Sequence, residues 1–116
     1  MKNVAVFLIL AALTMVLPAA DQIVINEIMY NSDGTDVEFI ELINVSGQSI
    51  NLSGWSVVDD NDDHAKCALE GTLAANAYLV VAADRASFAA LYPGVSNVNA
   101  NDFDPNGAGW ALGNNG

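Results

Sequence analysis

The sequence is poor in the residue types that most often build chemical sites, with one cysteine, one histidine and three basic residues. A single cysteine, Cys67, excludes an intrachain disulfide, and Cys67 with His64 is too small a set for a Cys/His zinc site. Fourteen acidic residues against three basic ones give a formal net charge of −11. A surface with that charge repels phosphate backbones, so we expect no nucleic-acid partner.

The first twenty residues have the pattern of an export signal. A short cationic start precedes an apolar run, 4–17, that only Thr14 interrupts. As a helix this run is about 21 Å long, shorter than the roughly 30 Å hydrocarbon core of a bilayer. Pro18 ends the run and small residues follow it, as in a cleavable signal. We predict a signal peptide at 1–20, a single domain at 21–116 and no stable membrane span after cleavage; an uncleaved anchor is the alternative.

The remaining residues show the alternation of short β-strands. Apolar and acidic positions alternate over 37–43, which predicts a half-buried strand. β-branched runs predict further strands at 23–29 and around 50–57, where Gly54 shifts the phase like a bulge so that Trp55 also points inward. A weak short strand is predicted at 67–69 and another strand at 78–82. About six strands in total predict an all-β antiparallel sandwich.

One short helix and one irregular segment complete the predicted elements. Asp84 begins a helical pattern that runs to Tyr92, and Pro93 with Gly94 ends it. The segment 95–109 is rich in Asn, Asp and Gly and predicts a long loop. The sequence then finishes on an Asn-Gly turn signal with no second strand after it. We expect the last strand or strands to lie beyond residue 116, which makes this chain a fragment.

Four segments together resemble the lamin-tail domain, the immunoglobulin-like module of nuclear lamins that also occurs in many exported bacterial proteins. They are IVINEIMYN (23–31), VEFIELIN (37–44), INLSGWSVVDD (50–60) and AYLVVAAD (77–84). The order of INEI, IEL-x-N, LSGW and YLVV is similar to the bacterial versions of the family. The resemblance implies an immunoglobulin-like antiparallel β-sandwich with one short helix, its last strands missing.

The residues that carry this resemblance have structural explanations that need no chemistry. The apolar residues of the motifs, Tyr78 and Val80 among them, are candidates for the core or its border. Short polar side chains at strand ends can bond to backbone groups of nearby loops. We expect structural roles for Asn26, Glu27, Glu38, Ile40, Glu41, Leu42, Asn44, Leu52, Gly54 and Trp55.

A dense acidic loop is the one candidate metal site. It carries Asp59, Asn61, Asp62 and Asp63, together with Asp60. Calcium binds several oxygen ligands on flexible loops, so these residues are a candidate calcium site, the only cofactor that the sequence suggests. An EF-hand is rejected because the position that requires glycine holds a histidine and the flanks have strand patterns. The alternative is a solvated acidic loop.

The sequence offers no catalytic constellation, so we predict that the domain is not an enzyme. His64 is the only histidine, and no serine-elbow or zinc-ligand pattern accompanies it. It is interpreted as a surface histidine beside acidic residues. Cys67 is interpreted as a small buried residue rather than a reactive thiol.

The sequence-based prediction of function is an exported, non-catalytic module, secreted, periplasmic or at the cell surface. Its expected partners are other proteins or cell-surface components; its oligomeric state stays open. One alternative is an accessory N-terminal domain of a larger secreted enzyme, such as a nuclease or phosphatase, with its catalytic part beyond residue 116. A second alternative is a calcium-dependent adhesion module.

Overall fold

The computed structural model describes residues 22–30 and 37–113. The predicted signal peptide lies outside these residues. So does the segment Asn31-Ser32-Asp33-Gly34, whose sequence predicts a turn. The described part contains seven strands, one α-helix and one 3-10 helix: β1 (Ile23–Met29), β2 (Phe39–Asn44), β3 (Ile50–Asn51), β4 (Ser56–Val57), β5 (Cys67–Ala68), β6 (Thr72–Leu73), β7 (Tyr78–Ala82), α1 (Arg85–Leu91) and a 3-10 turn at Pro105–Gly107.

The principal sheet has three antiparallel strands in the order β1, β2, β7. The predicted strand at 37–43 is β2, and it lies in the middle of this sheet. Ile40 and Leu42 face the main core, as their alternation predicts. The prediction of a half-buried strand is wrong for its first part, because Phe39 on the opposite face is also buried, at 8% exposure. Helix α1 covers that face through Phe88.

Two shorter antiparallel pairs, β3 with β6 and β4 with β5, lie apart from this sheet. The glycine at position 54 separates β3 from β4 as a turn rather than bulging one continuous strand. Its φ is +86°, a conformation that glycine adopts readily, and the backbone N–H of Trp55 donates to the Leu52 carbonyl at 2.9 Å. The predicted change of phase is confirmed, since Leu52 is buried and Trp55 packs against the same core.

The main core lies between the principal sheet and the two short strand pairs. It collects the inward side chains of β2, β3, β5, β6 and β7 and two aromatic residues from the C-terminal segment. Its buried members are Ile40, Leu42, Ile50, Leu52, Cys67, Leu69, Leu73, Leu79, Val81, Ala83, Phe103 and Trp110. Apolar side chains on both sides of a shared core are what an antiparallel sandwich requires.

Tyr78 does not belong to this core, and its prediction as a core residue is wrong. Its exposed fraction is 46%, whereas Leu79 and Val80 are each 5% exposed. Alternation places Tyr78 on the face of β7 that carries Val80, which packs in a second cluster with Phe88 of α1. Tyr78 is the first residue of β7, two residues before Val80, and lies outside that cluster.

Helix α1 follows its sequence signals closely. The Asp84 side chain accepts a hydrogen bond from the Ser87 backbone N–H at 2.8 Å, which satisfies one of the free donors of the first turn. Phe88 packs its ring edge-on against Phe39, with 5.3 Å between the ring centroids. None of the helices in residues 22–30 and 37–113 has the length and apolar character to cross a membrane.

The predicted loop after residue 95 is irregular but closely packed. Val98 forms a parallel bridge with Val80 of β7. Phe103 and Trp110 stack at 4.5 Å inside the main core, and the Trp110 indole donates to the Ala65 carbonyl at 3.0 Å. Gly109 allows this stack, since a Cβ there would lie 2.0 Å from the Phe103 carbonyl oxygen. The composition of this segment predicted that it contains no strand, but it did not predict that Phe103 and Trp110 are buried in the main core.

Candidate functional site

Asn44, at the end of β2, is the most heavily bonded of the motif residues. Its side chain is fully buried, with 0% exposure. The amide donates to the carbonyl oxygens of Gln48, Leu73 and Ala74 at 2.8, 2.9 and 3.1 Å. Its Oδ1 accepts from the backbone N–H and the hydroxyl of Ser46, at 2.9 and 2.7 Å. Asn44 therefore joins the loop after β2 to the turn between β6 and β7.

Asn26, Glu27 and Glu41 mark an irregularity at the edge of the principal sheet. The β1–β2 register shifts between Ile25 and Glu27, so Asn26 is the extra residue of a bulge. The Asn26 amide donates to Glu41 Oε1 at 2.7 Å. Glu27 then lies directly opposite Glu41 on the neighbouring strand. These polar motif residues shape the edge strand and gather negative charge on it.

Glu38 is a buried carboxylate, 5% exposed, just before β2. Its Oε2 accepts a hydrogen bond from the Leu112 backbone N–H at 2.7 Å, and its carbonyl accepts from the Ala83 N–H at 2.9 Å. The side chain thus holds the C-terminal segment against the sheet. A groove of about 440 Å³ beside it is lined partly by Asp84 and Asp104. Both of those carboxylates accept backbone N–H bonds, from Ser87 and Gly109 respectively.

The acidic loop 59–63 is ordered partly by hydrogen bonds among its own residues. The described residues contain no group of three or more His, Cys, Asp or Glu side chains placed to hold a metal ion. Asp59 instead pairs with His64 Nδ1 at 2.6 Å and accepts from the Asn61 N–H at 3.2 Å. Asn61 in turn accepts from the Asp63 N–H at 3.0 Å. The calcium site at Asp59, Asn61, Asp62 and Asp63 stays a prediction without support from this geometry.

His64 sits on the exposed side of that loop. Its second ring nitrogen, Nε2, lies 3.1 Å from the Asn61 amide, so both ring nitrogens are engaged within the loop. A general base needs a nucleophile or positioned water within hydrogen-bond reach, and the loop supplies only Asp59 and Asn61 to this ring. The Asp59–His64–Asn61 contacts order the loop between β4 and β5.

Cys67 is buried, as its sequence context predicts, at 4% exposure. Burial raises the pKa of the Cys67 thiol, the nearby Asp102 carboxylate raises it further, and a hydrogen bond from Asn99 acts in the opposite direction. A thiol that stays protonated and enclosed is a poor nucleophile. The side chain packs in the main core.

Asn99 is a structural residue that sequence reasoning missed. It is 2% exposed; its amide donates to the carbonyls of Ala68 and Asn101 at 3.0 Å each, and its Oδ1 accepts from the Glu70 N–H at 3.1 Å. Asn97 bonds to the Tyr78 carbonyl on the other side of the segment. The signal was an asparagine at every second position from 97 to 101, within a stretch where composition alone predicts a loop.

The described surface shows apolar side chains along β1. Val24, Ile25 and Ile28 are 44%, 57% and 48% exposed, and Tyr30 beyond the strand is 54% exposed. The register with β2 places Ile25 and Ile28 on the face that carries Leu42 and Ile40, and Val24 on the opposite face. Several large apolar side chains exposed on one strand are a feature of interaction surfaces. Glu38 and Asn44 are thus used inside the fold, whereas β1 presents both apolar and polar side chains to the surface.

Comparison with known proteins assigns the family. No curated protein and no solved structure matches the chain. The family model of the lamin tail domain matches residues 17–116, which begins inside the predicted signal segment and includes all the strands described above. The antiparallel sheets, the buried motif side chains and the one short helix agree with the immunoglobulin-like β-sandwich of that family. The chain belongs to the lamin tail domain family.

Proposed function

We propose that this chain is an exported, non-catalytic module that binds other proteins or cell-surface components. Membership of a family of immunoglobulin-like interaction and structural modules supports this proposal. The observation that carries it is the exposure of apolar side chains along β1, where Ile25 leaves 57% of its surface accessible on a strand that also carries Glu27. Burial of such side chains on a partner is favourable by about 25 cal/mol for each Å² removed from water.

The polar residues of the family motifs support a scaffold role rather than a chemical one. The side chains of Asn44 and Glu38 form hydrogen bonds with backbone groups of the fold. The Asp59–His64 pair lies on the loop between β4 and β5, where the two side chains bond to each other. A rigid sandwich with satisfied internal polar groups presents its surface in a fixed shape, which lowers the entropy cost of binding.

Export is the second part of the proposal, and the pattern of residues 1–20 supports it. Mature material recovered outside the cytoplasm is expected to begin at Ala20 or Asp21, which N-terminal sequencing determines. Intact Met1 in the membrane fraction would favour the uncleaved anchor instead.

Site-specific photocrosslinking in cells that express the full chain tests the interaction role. A photoreactive residue replaces Val24 on β1, Leu91 on α1 or Val95 after the helix, all 43–45% exposed. An interaction module gives a discrete higher-mass adduct from at least one of these faces, and an unirradiated sample gives none. A folded, exported chain that yields no adduct from any of the three positions contradicts the proposal.

A further inference from the structure

We propose that the outer edge of β1 binds an extended, basic peptide segment of a partner protein, which adds to the principal sheet as a further antiparallel or parallel strand. The inference rests on the proposed interaction function and names its surface and partner chemistry. Three features carry it: backbone groups that point outward from the edge, an apolar groove beside them, and the negative charge around both.

The backbone of β1 faces away from the sheet at alternate residues. Asn44 donates its backbone N–H to the Ala77 carbonyl and accepts from the Asn76 N–H, at 3.0 and 2.9 Å, so both of its groups point away from β1. Its register partner Ile23 therefore directs its own N–H and C=O outward, and alternation gives Ile25 the same orientation. Within the described residues, no strand pairs with this edge.

An apolar groove runs beside these backbone groups, between the two layers. Its volume is about 250 Å³, below the ~300–1,000 Å³ of typical small-molecule sites. Ile23 and Ile25 line one side, and Trp55, Val57 and Val58 line the other. A strand placed along β1 projects every second side chain toward this groove, so aliphatic residues at alternate positions fit it.

Charge selects the partner and disfavours a second copy of this chain. Glu27 lies opposite Glu41 on the sheet, and Asp59 and Asp60 follow Val58 at the other side of the groove. With a net charge of −11 on each copy, self-pairing along this edge brings like charges together. In an added strand, alternate aliphatic residues meet the groove, and the Lys or Arg residues between them face the opposite side of the sheet, where Glu27 and Glu41 lie. A segment with this alternation therefore complements both faces of the edge.

The test titrates the full 116-residue chain with synthetic peptides of about six residues, a usual strand length. One peptide alternates lysine with valine, a second alternates glutamate with valine, and a third is the basic peptide with all its backbone amides N-methylated. Backbone NMR with amide hydrogen exchange locates the binding site. The basic peptide is expected to bind at least about tenfold more tightly than the acidic one. It should slow exchange at Ile23 and Ile25, and N-methylation should abolish that protection.

Two substitutions separate edge binding from general attraction to an acidic protein. Ile25→Lys and Leu91→Lys add the same charge at exposed positions, one on β1 and one on α1. Ile25→Lys should weaken binding of the basic peptide about tenfold and Leu91→Lys less than about twofold. Equal weakening by both, or protection away from β1, overturns the inference. Concentration-dependent protection of Ile23 without peptide overturns it in favour of self-association. Crosslinked adducts at Leu91 or Val95 together with failed peptide binding would leave the interaction module standing and remove only this surface.

Discussion

Replacing Asn44 with alanine is expected to destabilise the domain more than any other single polar change among the motif residues. The substitution deletes three donated hydrogen bonds and two accepted ones at a site with no solvent access. The Ser46 hydroxyl keeps a second bond, to the Gln48 carbonyl at 3.0 Å. The Ser46 N–H and the Leu73 carbonyl each lose a buried hydrogen bond to Asn44.

The magnitude follows from those two groups. The buried Ser46 N–H, left without a partner, costs about 1–3 kcal/mol. The lost bond to the Leu73 carbonyl, which still pairs with β3, adds about 0.5–1.5 kcal/mol, so the two together predict a loss of about 3 kcal/mol in the free energy of unfolding. For a domain of about 100 residues this lowers the melting temperature by roughly 12–24 °C. Because whole domains are stable by only about 5–15 kcal/mol, this loss is a large fraction of the free energy of unfolding.

Urea unfolding of the full chain, followed by circular dichroism, measures this loss. Asn51→Ala is the matched control, because Asn51 is exposed and makes one local bond, to the Ser53 N–H at 2.9 Å. Its expected cost is below about 1 kcal/mol. Ser46→Ala combined with Asn44→Ala should cost less than the sum of the single changes, since the two side chains share their bonds. An Asn44→Ala variant no less stable than Asn51→Ala would refute the reasoning.

Three further predictions address packing, protonation and metal binding. Gly109→Ala should cost about 3 kcal/mol in urea unfolding, because its Cβ collides with the Phe103 carbonyl, whereas Gly47→Ala, with open space around it, should cost little; equal costs contradict the packing. Burial raises the pKa of the Cys67 thiol, so the unfolded chain loses this proton at a lower pH than the folded chain does. The free energy of unfolding should therefore fall as the pH rises above about 8.5, and Cys67→Ala should reduce this dependence on pH. Calcium and sodium chloride at equal ionic strength should raise the melting temperature equally, since Asp59 is engaged by local bonds; a calcium excess that Asp59→Asn removes would establish the calcium site.

The sequence predicted those parts of the fold in which a local residue pattern has a single structural explanation. Alternation placed Ile40 and Leu42 in the core, and the Asp84 cap with Pro93 after the last turn bounded the helix within a residue at each end. Family resemblance supplied the immunoglobulin-like sandwich, which spacing alone gave only as an antiparallel sandwich.

The remaining features depend on contacts that the sequence does not encode locally. Phe39 is buried on its outer face only because α1, more than forty residues later, packs across it. Strand β6 has two residues, too few for a period, and forms by pairing with β3. Asn99 is polar and lies in a polar segment, so its burial follows from the Ala68 and Glu70 groups that it bonds.

The candidate surface was the least predictable part. The apolar residues of β1 have the same pattern as any strand, and pattern alone does not distinguish a central strand from an edge. Their exposure follows from the sheet order, in which β2 and β7 take the buried positions. His64, interpreted from the sequence as a surface histidine beside acidic residues, pairs with Asp59.

The most direct measurement is backbone amide hydrogen exchange of the free, full-length chain without any peptide. An open edge predicts that the Ile23 and Ile25 amides exchange many times faster than those of Leu42 and Val81, which lie on the paired and buried strands. Exchange at Ile23 and Ile25 as slow as at Leu42, at the lowest protein concentration measurable, would mean that the edge is already occupied and would contradict β1 as the surface that this domain offers to a partner.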